Sequence, residues 1–256
     1  MKKREQSSNH RNSMIRLLAD PVDSKSITNS LGPITLEGRH VRLEPIAQQC
    51  ASDLLEAGRD LDWEWMSMKL DNLGSVSEWI WEALAAQEKG VEYAYVVWDL
   101  TRGKIIGSTR YMDTQTKNKV TEIGWTWYSP NVWGTVVNPE CKYLLLRHAF
   151  EDWGAIRVQL KTDDLNVHSQ KAILKLGAKF EGRLRNHRFR RDGSIRDTMM
   201  YSITREEWPE VKSSLRKRIE SLRDSWSVWI LTTAHLNALN KSKLVSNPIR
   251  LLRFNH

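Results

Sequence analysis

Cysteine is nearly absent from this sequence: there are two in 256 residues, Cys50 and Cys141. They form no C-x-x-C pair and no set with metal-ligand spacing. A disulfide-stapled scaffold and a zinc module are therefore excluded, and free thiols in a reducing compartment are the simplest expectation. Long apolar runs are missing as well. The most apolar stretch near the end, Trp226–Leu239, is broken by Ser227, Thr232, Thr233, His235 and Asn237, and it falls short of the roughly 20 residues that cross a bilayer. The opening Met-Lys-Lys-Arg has no apolar segment behind it of the kind a secretory signal needs. A cytoplasmic protein with no membrane partner is expected. Also missing are G-x-S-x-G and a Walker-type G-K-S/T, which removes support for α/β-hydrolase and P-loop chemistry. The seven histidines are scattered, and His168 and His187 have no neighbouring Cys or His. No metal site is expected. Neither internal repeats nor low-complexity blocks occur.

What remains is the composition of a globular protein: 40% apolar and 27% charged residues, with 13 Gly and 7 Pro. Tryptophan stands out, with 12 against 4 Phe, and each indole N–H seeks a partner when buried. The net charge of +8 is unevenly spread. Residues 1–33 and 224–256 carry +3 each, which leaves +2 for the long middle. Residues 1–33 are thus expected to be a flexible basic leader, 34–221 a folded domain, and 222–256 a peripheral or poorly ordered extension. Inside the domain one basic cluster stands out: Arg183, Arg185, Arg188, Arg190, Arg191 and Arg196. A solvated hairpin is its first explanation. RNA is a partner it would also suit, though the charge distribution does not favour one.

Along the chain, Ile34–Leu43 alternates across a glycine like a bent strand or hairpin, and Pro45 ends it. Helices are predicted over Ile46–Ala57 and Ser75–Glu88, with Ser75 as cap. Strands are predicted at Tyr93–Asp99, Lys104–Met112 and Lys119–Trp127. Strict alternation in the last would put Val120, Glu122, Gly124 and Thr126 on one face, and Ile123, Trp125 and Trp127 on the other. After a loop, Asn138 and Pro139 suit the start of a helix running to Trp153. A strand at Arg157–Thr162 and a helix at Asn166–Leu176 follow. A hairpin turns about Asp192-Gly193 between Leu184–Arg191 and Ser194–Ile203, and a helix covers Glu206–Ile219. Strands in a meander, then strand and helix in alternation, imply a mixed α+β fold. Its sheet should be mostly antiparallel with helices on both faces.

The informative unit is strand 119–127, loop 128–137, helix 138–153, strand 157–162, helix 166–176. A strand feeding a loop and a helix N-terminus offers unpaired N–H groups to an anion, and Gly134 permits close approach. Four runs recur in order: T-E-I-G-W (121–125), P-x-x-W-G-T (130–135), L-K-T-D-x-x-N-x-x-S (160–169) and A-I-L-K-L-G-A (172–178). Together they resemble the GCN5-related N-acetyltransferase (GNAT) superfamily, in a branch similar to the RimJ/RimL protein acetyltransferases. The resemblance covers residues 34–220.

It implies a splayed sheet and acetyl-CoA as acyl donor, with no metal. The pantetheine arm would lie between strands 119–127 and 157–162. The pyrophosphate would rest on the amides of Trp133, Gly134, Thr135, Val136, Val137 and Asn138. Asn166 would meet the pantetheine, and Ser169 would face the sulfur and assist the departing thiolate. Where the family loop usually has Q/R-x-x-G-x-G/A, this chain keeps Gly134 but carries Asn131 and Val136.

The implied activity is N-acetylation of a primary amine, on a small molecule or a peptide such as a protein N-terminus. Such an amine must lose a proton first, and Glu122 is the candidate base, through a water. Amides near Trp125 and Thr126 are candidates to polarise the thioester carbonyl. Two alternatives belong to other classes: a non-catalytic acyl-CoA or amine-binding module of the same fold, and an RNA-associated basic protein. Trp63, Trp65, Trp79 and Trp81 are read first as core and helix-face packing. Since Trp63 and Trp65 cannot share a helix face, at least one of the two is expected to point toward a cleft.

Overall fold

The structure is a computed structural model that describes residues 30–222. The expected leader, apart from its last four residues, and the expected extension beyond residue 222 lie outside the described residues. Leu31 is fully buried in the core, so packing starts ahead of the expected boundary at 34.

Eight strands form one sheet in the order β1-β2-β3-β4-β5-β6-β8-β7. The first five make an antiparallel meander: β1 (Leu36–Glu37), β2 (Val41–Pro45), β3 (Tyr93–Asp99), β4 (Lys104–Gln115) and β5 (Val120–Tyr128). A parallel step joins β5 to β6 (Arg157–Asp163). The hairpin β7 (Lys179–Phe189) and β8 (Ile195–Thr204) completes the sheet, with β8 antiparallel to β6 and Gly193 (φ +84°) in the turn. The parallel step needs a crossover, and α3 (Val137–Arg147), continued by a π-turn at His148–Asp152, provides it.

Helices cover both faces. On one side α1 (Ala51–Ala57) and α2 (Leu73–Glu88) enclose a cluster around Ile46, Leu54, Val76, Trp79, Ile80, Val96 and Trp127. On the other, α3, α4 (Val167–Leu174) and the helix over 208–222 enclose the larger cluster, which includes Tyr111, Ile123, Leu145, Trp153 and Val158. Two starts differ from the sequence expectation. Asn72, not Ser75, caps α2: its side chain accepts from Ser75 N, and Ser75 takes the third helical position of a capping box. Val136 is the N-cap of α3, so Asn138 sits inside the first turn and its Oδ1 instead accepts from the Tyr128 hydroxyl at 3.3 Å.

Two of the four tryptophans expected to pack are in the core. Trp63 is 3% exposed and Trp79 fully buried, while Trp81 stands on the outer face of α2 at 66% exposure. Trp63 and Trp65 lie in a turn rather than a helix, and Trp65 is half-buried. The indole N–H groups of Trp79, Trp127 and Trp153 find no acceptor among the described residues. Cations instead lie over two of these rings: Arg110 is 4.4 Å from the Trp79 centroid and Lys119 is 4.8 Å from that of Trp153. Cys50 and Cys141 are both unpaired.

Candidate active site

Strands β5 and β6 pair only through Val120–Arg157, Thr121–Val158 and Glu122–Gln159. Beyond Glu122 the two strands part, although β5 continues to Tyr128 and β6 to Asp163. A β-bulge accompanies the parting. Ser108 pairs with Trp127 and Arg110 with Gly124, so Thr109 on β4 faces two residues, Trp125 and Thr126. Trp125 absorbs the extra residue at φ +48°, a conformation uncommon for a non-glycine residue. The alternation expected from sequence fails here for that reason. Ile123 joins the larger cluster, whereas Trp127, four residues on, joins the other. Gly124, Trp125 and Thr126 are half-exposed between buried neighbours.

The loop after β5 leads into the α3 N-terminus. Gly134 has φ +73°, and a Cβ there would meet nothing within 4 Å, so backbone conformation and not space requires the glycine. Thr135 Oγ1 donates to Val132 O at 2.6 Å and accepts a long bond from Val137 N at 3.3 Å. No side chain caps α3. Among the described residues, the amides of Gly134, Thr135, Val136 and Asn138 have no acceptor. The side chain of Val136 is 1% exposed and its φ is −66°; it is tucked inward and needs no glycine conformation. Four donors and a helix dipole around an open glycine fit a diphosphate.

Across the gap, α4 begins at Asn166, whose Oδ1 accepts from Ser169 N at 2.9 Å. The Ser169 hydroxyl is half-buried and makes no hydrogen bond among the described residues. His168 and Trp133 approach with ring centroids 6.0 Å apart, which brings the α4 start beside the glycine loop.

Glu122 is 2% exposed and its Oε2 lies 2.7 Å from Lys161 Nζ, which also reaches Asp113 at 3.3 Å. Burial raises the Glu122 pKa above the usual carboxylate value, and the Lys161 charge offsets this only in part. Glu122 therefore keeps an affinity for a proton that a solvated carboxylate lacks. Lys161 is a site residue that the sequence does not reveal. Its alternation on β6 reads as an outward lysine, and nothing in a spacing of 39 residues announces the contact. Lys142 on α3 is also absent from the expected site, although a lysine among Cys141, Tyr143, Leu144 and Leu145 is a visible anomaly.

Three of the six arginines in the cluster pair with carboxylates. Arg190 grips Asp163 at 2.8 Å through two nitrogens, Arg183 bonds Asp197 at 2.6 Å and Asp164 at 3.0 Å, and Arg196 stands 3.7 Å from Asp163. Arg191 instead reaches the Trp63 carbonyl at 3.2 Å. Among the described residues, no group of His, Cys, Asp and Glu could hold a metal, and no helix is long and apolar enough to cross a membrane.

Comparison with known proteins bears on these features. Residues 40–179 match the acetyltransferase (GNAT) domain family. Among solved structures, a candidate acetyltransferase from T. thermophilus is 34% identical, with 73% of this chain and 97% of that one covered and a TM-score of 0.65. A GCN5-related N-acetyltransferase from Brucella melitensis is 25% identical, covering 73% and 86%, with a TM-score of 0.68. Mycobacterium smegmatis RimJ in complex with CoA-disulfide shares the fold at 19% identity, covering 73% and 96%, with a TM-score of 0.64. A search of curated proteins gave no match. With more than half its length matched and its sheet parted beside an open amide loop, this chain belongs to the GCN5-related acetyltransferase family.

Proposed function

We propose that this protein is an acetyl-CoA-dependent N-acetyltransferase acting on a primary amine, and that an unblocked peptide N-terminus is the acceptor class. The observation that carries the proposal is the parting of β5 from β6 after Glu122, next to four amides that lack acceptors. Acetyl-CoA supplies an activated acyl group as its thioester. The amides of Gly134, Thr135, Val136 and Asn138 would take its diphosphate, those of Trp133 and Val137 being engaged by Pro130 O and Thr135 Oγ1; Asn166 would take its pantetheine arm, leaving the thioester beside the bulge. Peptide N–H groups at Trp125 and Thr126 then favour charge on the carbonyl oxygen.

An α-amino group has a pKa about 2.5 units below that of a lysine side chain, so near neutrality far more of it is already a nucleophile. Glu122, buried and with its proton affinity raised, takes the amine's proton through a water. The Ser169 hydroxyl, which makes no bond among the described residues, gives a proton or hydrogen bond to the leaving sulfur. The net change breaks the C–S bond and forms a C–N bond, giving an amide and a free thiol. RimJ, named above with a bound CoA derivative, supports the donor. A thiol-release assay with acetyl-CoA and matched peptides, free or blocked at the N-terminus, tests the acceptor. Release with free N-termini and none with blocked peptides that retain lysine is the expected result; the reverse pattern removes the N-terminal assignment.

A further inference from the structure

Lys142 lies in the second turn of α3 with 5% of its surface exposed. Among the described residues its ammonium has one hydrogen-bond partner, the Thr126 hydroxyl at 2.6 Å, and no carboxylate is in ion-pair distance. Burial pushes this amine down to about 8, and no carboxylate offsets the lost hydration of its charged form. A buried, unpaired ammonium weakens a fold, and a methionine of similar shape would not. The position therefore costs stability where an apolar residue would not.

Thr126 explains what that cost supports. It is the second residue of the bulge, half-exposed, on the stretch of β5 that has left β6. With its oxygen accepting from Lys142, its own proton is directed to Thr109 Oγ1 at 2.8 Å or Gly124 O at 3.4 Å. The bulge is thereby tied to β4 on one side and to α3 on the other.

We propose that Lys142 is a positioning residue for the acyl group: through Thr126 it fixes the bulge whose peptides meet the thioester carbonyl. The proposal rests on the transfer reading above, and its test separates the two. Calorimetric affinities for CoA and for acetyl-CoA, thermal midpoints and kcat are measured for wild type, K142M, T126V and T126S. K142M is expected to melt a few degrees higher than wild type. Its CoA affinity stays within about twofold, while its preference for acetyl-CoA over CoA and its kcat each fall about tenfold. T126V loses the same preference, T126S restores it, and K142M/T126V is no worse than K142M alone. A merely structural lysine would instead lower the melting temperature and weaken both ligands equally. An unchanged acetyl-CoA preference in K142M overturns the proposal for Lys142 alone. A wild-type protein that binds neither ligand overturns the transfer reading, and Lys142 with it.

Discussion

At the scale of the residue, Glu122 and Lys161 show how a carboxylate can be both paired and basic. The ion pair at 2.7 Å favours the charged form, but burial acts the other way and wins. A base must be unprotonated to work, so turnover should fall as pH drops through the raised Glu122 pKa. E122Q should remove the limb that belongs to Glu122, leaving the one set by the amine's own pKa of about 8, and lower kcat by about 100-fold or more, with acetyl-CoA affinity within about twofold. A pH–rate profile with the N-terminal peptide substrate checks both points, and an E122Q profile of unchanged shape and height takes the base role from Glu122. As candidates, Glu122 and Ser169 are visible in the sequence because each sits in a short run whose neighbours mark its place. Lys161 and Lys142 are not, since what matters about them is which side chain from another element lies opposite.

The elements around the site follow the same division. Strand and helix order is readable from periodicity and punctuation: Gly58, Gly90, Gly177 and Asp192-Gly193 end or turn segments close to where the structure does. The bulge is not readable. Alternation carries no sign that one residue of β5 is supernumerary, and Trp125 at positive φ follows from pairing with β4, not from local preference. Likewise α3 starts earlier than Asn138 implies, because good capping chemistry in a sequence does not decide which turn closes first.

This placement gives Gly134 and Val136 opposite behaviour. G134A meets no steric obstacle but forces φ +73° on a Cβ, a strain of roughly 1–2 kcal/mol, and should weaken CoA binding several-fold. V136G, although it brings the loop nearer to the family pattern, deletes a buried side chain worth about 1.5–3 kcal/mol. Its expected effect is a lower melting temperature with no gain in CoA affinity, read by thermal melts and calorimetry on the same samples. Tighter CoA binding by V136G would show that the valine obstructs the loop after all.

On the scale of the whole molecule, the two halves of the sheet are held by different forces. Strands β3 and β4 are sandwiched between apolar clusters on both faces. The edge strand β7 exposes nearly every side chain, and its hairpin is tied back by carboxylate–arginine pairs. Arg157 holds the Glu181 pKa at about 2. For Asp163 burial works upward, yet pairing with Arg190 leaves it lowered. Asp197 is lowered by the Asn186 amide, helped by Arg183.

Groups whose folded pKa lies below the unfolded value bind fewer protons when folded. Their contribution is complete above about pH 5 and drains away as pH falls toward 2. Glu122 shifts in the other direction and offers no such acid sensitivity. Because the pairs are mostly near the surface, each is modest, but they converge on one hairpin. Lowering the pH from about 7 to about 3 should therefore open β7 and β8 before β3 and β4. Amide hydrogen exchange resolved by segment reads this directly: protection lost first over 179–204 is expected. Uniform loss across the sheet would mean that the apolar clusters, not the ion pairs, hold the hairpin in place.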